Sequence, residues 1–246
     1  MDYSFIRAEE YNCRIKIAPN GDILEELVCS QKIFHPGGEI HQPKKSKLKP
    51  SNKEVIPSEE NSSRSIRRAK SSIYDYVICN DDLDLFVTLT LDKDNVNRYD
   101  YKEIIKKLNN WLDNHKRRNN LKYVLVPEHH KDGAIHFHGF FNSSSLRLVD
   151  SGHKTVKGQV IYNLPQFRFG FTTGIKTVGT RSKIANYICK YITKQSDNKI
   201  GGRYYLHSNN LLSPTFDYCI KDFATSGGYE FDIPCTKLSF KKIIHS

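Results

Sequence analysis

The stretch Tyr123-Val-Leu-Val-Pro-Glu-His-His-Lys-Asp-Gly-Ala-Ile-His-Phe-His-Gly-Phe-Phe141 decides how the chain is read. Two apolar runs, Tyr123 to Val126 and Ala134 to Phe141, flank a polar segment ending in Asp132-Gly133, the pattern of a β-hairpin. Alternate side chains of a strand share a face, so His136 and His138 project the same way. Two imidazoles on one stiff face suit two ligands of one metal ion. The hairpin register decides what joins them. A three-residue loop, Lys131-Asp132-Gly133 with Gly133 left-handed, sets Glu128 opposite His136 and puts His130 on the same face. A two-residue Asp132-Gly133 turn sets His129 there instead and turns Glu128 away. The longer loop is favoured because one carboxylate and two imidazoles are a mixed set suited to a divalent ion. A surface hairpin rich in His by accident is the plain alternative.

Toward the N-terminus, Leu85–Leu91 reads as a strand, with Val87, Leu89 and Leu91 on one face and Phe86, Thr88 and Thr90 on the other. Asp100-Tyr-Lys-Glu103 forms a capping box for a helix whose apolar face is Ile104, Ile105, Leu108, Trp111 and Leu112. Its closing Lys116, Arg117 and Arg118 suit the negative end of the helix dipole. A further helix is expected from Ser65 to Cys79, where Ile66, Ala69, Ile73 and Val77 keep helical spacing; its first half carries Arg64, Arg67, Arg68 and Lys70. Residues 37–63 hold Pro43, Pro50, Pro57 and the run Lys44-Lys-Ser-Lys-Leu-Lys49, the composition of a basic flexible linker able to touch phosphates without reading sequence. Residues 1–36 carry a hairpin signal around Asn20-Gly21. Downstream, Gln159–Leu164, Phe167–Thr172 and Gly201–Leu206 read as strands, and residues 208–246 are weakly patterned. The expected division is an N-terminal hairpin region (1–36), the linker (37–63), a catalytic α+β domain (64–215) and a C-terminal extension (216–246).

The chain has 246 residues, a net charge of +11, and apolar and aromatic contents of 38% and 11%. That length and apolar content support a sizeable core, and the charge favours a polyanionic partner. Basic residues cluster in the linker and at Arg64–Lys70, which points to nucleic acid. Six cysteines stand far apart with no C-x-x-C pair, so a zinc ribbon is excluded and free thiols in a reducing, cytoplasmic setting are expected. The N-terminus lacks the pattern of a signal peptide, and no apolar run is long enough to span a membrane.

Arg181–Gln195 is the second informative stretch. Ile184, Ala185, Ile188, Cys189 and Ile192 form an apolar helical stripe; Lys183, Tyr187, Lys190, Tyr191 and Lys194 fall on the adjacent face. An ordinary amphipathic helix with solvated lysines explains this pattern. So does nucleophilic catalysis: a phenol of pKa near 10 becomes a nucleophile beside a cation such as Lys190 or Lys194, while a divalent ion polarises the phosphate under attack.

His136-Phe-His138 resembles the His-hydrophobic-His motif of the HUH endonucleases. Tyr187-Ile-Cys-Lys-Tyr-Ile-Thr-Lys194 resembles their tyrosine motif, in the two-tyrosine form of rolling-circle replication initiators of small single-stranded DNA phages. Phe86-Val-Thr-Leu-Thr90 resembles their first conserved strand, and the three motifs occur in the family's order. The resemblance implies a ferredoxin-like (RRM-like) core, an antiparallel sheet with the histidines on a middle strand and the tyrosine helix beside it. It implies Mg²⁺ or Mn²⁺ on Glu128, His136 and His138. It implies that Tyr187 and Tyr191, aided by Lys190 and Lys194, nick and rejoin single-stranded or hairpin origin DNA, through a 5′-phosphotyrosine link and a free 3′-OH. Arg64, Arg67, Arg68, Lys70 and Lys183 are the candidate DNA contacts. With no G-x-x-x-x-G-K-[ST] loop in the chain, a host helicase as well as a host polymerase is expected to act with it. The other readings are a relaxase or transposase of the same chemistry, a non-catalytic nucleic-acid-binding module whose tyrosines stack bases, and a phosphodiesterase that uses water.

Overall fold

The computed structural model describes residues 9–35, 59–193, 202–233 and 236–242. Lys194 and the run Lys44–Lys49 lie outside the described residues. The chain divides into two compact units, residues 57–213 and residues 1–56 with 214–246. The N-terminal hairpin region and the C-terminal extension thus fold in one unit.

That discontinuous unit is a five-stranded antiparallel sheet. Its strands are β1 (Glu9–Ile17), β2 (Ile23–His35), β10 (Thr215–Cys219), β11 (Tyr229–Ile233) and β12 (Thr236–Lys242), in the order β10-β1-β2-β12-β11. The β1–β2 turn places Gly21 at φ +90, with Ala18 and Asp22 joined by a backbone hydrogen bond of 2.8 Å. The weakly patterned tail therefore contains three strands, which pair with residues some two hundred positions away, such as Cys219 with Cys13. Short strands with few apolar residues gain their stability from such distant partners, which local patterning does not register.

The continuous unit is an antiparallel sheet with helices on both faces. In chain order it holds α1 (Glu59–Cys79), β3 (Leu85–Leu91), α2 (Tyr101–Asn119), β4 (Tyr123–His129), β5 (Ile135–Phe141), β6 (Val149–Lys154), β7 (Val160–Asn163), β8 (Gly170–Lys176), α3 (Arg181–Thr193) and β9 (Leu206–His207). The sheet order is β6-β7-β8-β3-β5-β4-β9, so β5 is flanked on both sides. Alternation splits the core in two. Leu85, Val87, Leu89, Leu125 and Phe137 pack against Leu108, Trp111 and Leu112 of α2; Val124, Val126 and Phe140 pack against Ile73, Val77, Ala185 and Ile188 of α1 and α3. No helix among the described residues is long and apolar enough to cross a membrane.

Several boundaries differ from the sequence reading. Helix α1 starts at Glu59 rather than Ser65, because its added turns carry no apolar residue for periodicity to detect. The strand expected at Phe167–Thr172 begins at Gly170. Phe167 is buried instead, with its N–H donating to the Leu164 carbonyl in a turn and its ring edge-on to Trp111 at 5.4 Å. Only Leu206–His207 of the last expected strand pairs, and β6 is additional. Asp100 caps α2 as read, accepting from the N–H groups of Lys102 and Glu103.

Candidate nucleotidyl-transfer site

The β4–β5 hairpin closes in the three-residue form. His130 N–H donates to the Ala134 carbonyl at 2.7 Å, and Gly133 has φ +84, a conformation that favours glycine. Glu128 consequently pairs with His136, and Val126 with His138. On the other side of β5, Thr90 pairs with His136 and Thr88 with His138. Two rows thus run across one sheet face, Thr90–His136–Glu128 and Thr88–His138–Val126. Gly139 lets β4 come this close: a Cβ there would stand 2.8 Å from Leu125 Cα and overlap the Val124 carbonyl.

Each imidazole is held from behind. Thr88 Oγ1 lies 3.1 Å from His138 Nδ1, and Thr90 Oγ1 lies 3.2 Å from His136 Nδ1. Such bonds orient a ring and set its tautomer, leaving Nε2 for the front of the site. His138 Nε2 stands 2.9 Å from Glu128 Oε2. His130 stacks on His136 at 5.0 Å between ring centres and bonds Asp132 at 3.2 Å. Burial lowers the pKa of His136, the neighbouring His130 adds to the effect, and Asp132 and Glu128 partly offset it. A neutral imidazole is the form that binds metal.

Helix α3 buries Ile184, Ala185, Ile188 and Ile192, and so brings its tyrosines over this face. The Tyr191 ring stacks on His138 at 4.3 Å and 16°. The Tyr187 and Tyr191 hydroxyls lie 3.3 Å apart, and Phe86 packs between the helix and the strand, 5.1 Å from Tyr187 and 6.2 Å from Tyr191. Burial pushes the Tyr191 phenol above its ordinary pKa, and its bond to Tyr187 and the nearby Glu128 add to the rise. Tyr187 is 45% exposed, with the Lys190 ammonium 5.6 Å from its ring centre. The one ammonium described beside the phenols thus lies against a ring face, while Tyr191 is held as the neutral phenol.

The start of α3 is anchored by Arg181, whose guanidinium donates to the carbonyls of Val77, Asn80 and Leu83 where α1 ends. Those carbonyls have no partner within the helix, and a cation suits that end of its dipole. The Tyr74 hydroxyl adds a bond of 3.1 Å to Ser182. Arg64, Arg67, Arg68 and Lys183 are exposed, whereas Lys70 is half-buried.

One carboxylate and two imidazoles fit a divalent cation in donor type. As the side chains stand, Glu128 bonds His138 directly, and among the described residues no three of His, Cys, Asp and Glu gather into a group that could hold a metal. Thr88, Thr90 and His130 complete the constellation. The threonines alternate along β3 in the period of the histidines, but their partnership depends on which strand lies beside β5.

Residues 84–196 match the model of a family of replication-associated proteins, described by its ORF2 and gene 2 protein members. The matched segment starts one residue before β3 and takes in both histidines and both tyrosines; the five-stranded sheet lies outside it. The match supports a part in the initiation of DNA replication. No curated protein and no solved structure matches the chain.

Proposed function

We propose that the chain nicks and rejoins single-stranded origin DNA by tyrosine transesterification, as a rolling-circle replication initiator of the HUH type. The observation that carries this reading is the stack of Tyr191 on His138, which brings two phenols to a Glu–His cluster some fifty positions away in sequence. The strand order β8-β3-β5-β4 supports reading the core as ferredoxin-like. Glu128, His136 and His138 would hold Mg²⁺ or Mn²⁺, which when bound supplies a Lewis acid for a phosphoryl oxygen. The tyrosine oxygen forms a bond to phosphorus and gives up its proton. The P–O3′ bond breaks, and the departing 3′ oxygen takes up a proton. The product is a 5′-phosphotyrosine and a free 3′-OH. The reverse reaction, with that or another 3′-OH as attacking group, rejoins the strand. Two hydroxyls 3.3 Å apart allow the tyrosines to act in turn. Tyr187, more exposed and beside Lys190, is the better placed to give up a proton first. Arg64, Arg67, Arg68, Lys70 and Lys183 would hold the DNA backbone, and a host helicase and polymerase would act with the protein in the host cytoplasm.

The test is to incubate the protein with labelled single-stranded origin-like DNA and Mn²⁺, then denature it. A covalent adduct lost in Tyr187→Phe/Tyr191→Phe is expected. Cleavage without an adduct would point to water as the nucleophile. Binding without cleavage, across sequences and metals, would leave the non-catalytic nucleic-acid-binding module.

A further inference from the structure

The five-stranded sheet has one covered face and one open face. On the covered face lie the buried Cys13, Val28 and Ser239 and the Glu26–Lys221 ion pair at 2.6 Å. The other face is aromatic and basic. Residues paired directly across adjacent strands share a face, and the pairs Tyr218–Arg14, Arg14–Leu27, Leu27–Phe240 and Phe240–Tyr229 run as one row across all five strands. The next row is Phe216–Lys16–Glu25–Lys242. Contacts bear out the shared face: Arg14 lies 5.2 Å and Lys16 5.9 Å from the centre of the Phe216 ring. Tyr11 packs on Tyr218 at 4.5 Å, holding that ring in place.

The aromatics on this face are unusually open. Tyr229 is 77% exposed, Phe216 43% and Tyr218 40%. The only carboxylate in the two rows, Glu25, is neutralised by Lys16 at 3.0 Å, so Arg14 and Lys242 leave the face positive. A flat sheet face with aromatic rings interleaved with cations is suited to bases that stack while phosphates meet the charge. At the usual strand separation the five-residue row spans about 19 Å, room for several unpaired nucleotides.

We propose that this open face is a second surface for single-stranded nucleic acid, stacking bases on Tyr218, Phe240 and Tyr229 beside Arg14 and Lys242. It lies outside the segment that matches the replication-associated family and does not depend on the strand-transfer reading. The test uses the full chain and anisotropy of a labelled oligothymidylate of about 30 nucleotides, long enough to fill more than one surface. Tyr218→Ala/Tyr229→Ala is expected to weaken its binding about tenfold or more, the usual effect of losing a stacking ring. Lys242→Glu, at an exposed strand end, should weaken it and reduce its salt dependence. The yield of covalent adduct on a short substrate should stay unchanged in both. Unchanged oligothymidylate affinity in either variant, with the circular dichroism of the parent, overturns the proposal and leaves a protein partner as the occupant. If the double variant does not fold, Lys242→Glu alone decides. Failure of the adduct assay in the parent protein would sink the strand-transfer reading and leave this one standing.

Discussion

Thr88→Val tests whether β3 sets the histidines for their work. Valine keeps the branched shape that suits a half-buried strand position and removes only the hydroxyl 3.1 Å from His138 Nδ1. A neutral hydrogen bond contributes about 1 kcal/mol net, so the fold should survive. Removing a group that orients a metal-ligating histidine commonly costs about 10- to 100-fold in metal affinity. His138 is also held by Glu128 at 2.9 Å and by the Tyr191 ring at 4.3 Å, which places the expected loss at the low end, about tenfold. The assay is adduct formation against Mn²⁺ concentration, with Mn²⁺ binding followed directly by electron paramagnetic resonance. The midpoint should rise about tenfold with little change in plateau yield. Thr90→Val should do the same through His136. If neither midpoint moves in either assay, the hydroxyls do not orient the ligands and the reasoning fails.

Arg181→Met should lower stability by about 3 kcal/mol, since it strips a charged donor from three helix-end carbonyls; a urea midpoint shift worth less than about 1 kcal/mol would show that water replaces it. In spectrophotometric titration one phenol, Tyr191, should ionise above the ordinary value, and Tyr187→Phe should bring it down by removing their hydrogen bond. Because this folded-state pKa is raised, the associated stability is present below the unfolded value of about 10 and is lost as pH rises through the folded one. Burial pushes the Asp84 carboxyl up, but the Ser143 N–H and hydroxyl and the Lys176 ammonium outweigh it and leave the pKa low. Its stability contribution is therefore present above about pH 4 and is lost as pH falls through the depressed value. Asp84→Asn should flatten that acid limb in urea midpoints measured against pH, and an unaltered limb would assign it to other carboxylates.

The elements that build the site were legible because their signals are local. The alternation of β3 and β5, the Asp100 cap and the stripe of α3 each arise within one segment and need no distant partner. Strand pairing across two hundred residues leaves no such trace, so the tail around Thr215–Lys242 read as irregular although it supplies three strands. The aromatic turn at Phe167 mimicked a strand because burial in a loop and burial in a strand select the same residue types.

Sequence by itself determined that His136 and His138 share a strand face, that Tyr187 and Tyr191 share a helix face, and that the chain is strongly basic. All three follow from covalent periodicity and composition. Only the tertiary structure decided that Glu128 rather than His129 stands opposite His136, that Thr88 and Thr90 lie behind the rings, and that Tyr191 settles on His138. Register, strand order and helix docking are set by the packing of both sheet faces and by where Gly133 and Gly139 let the backbone turn and close.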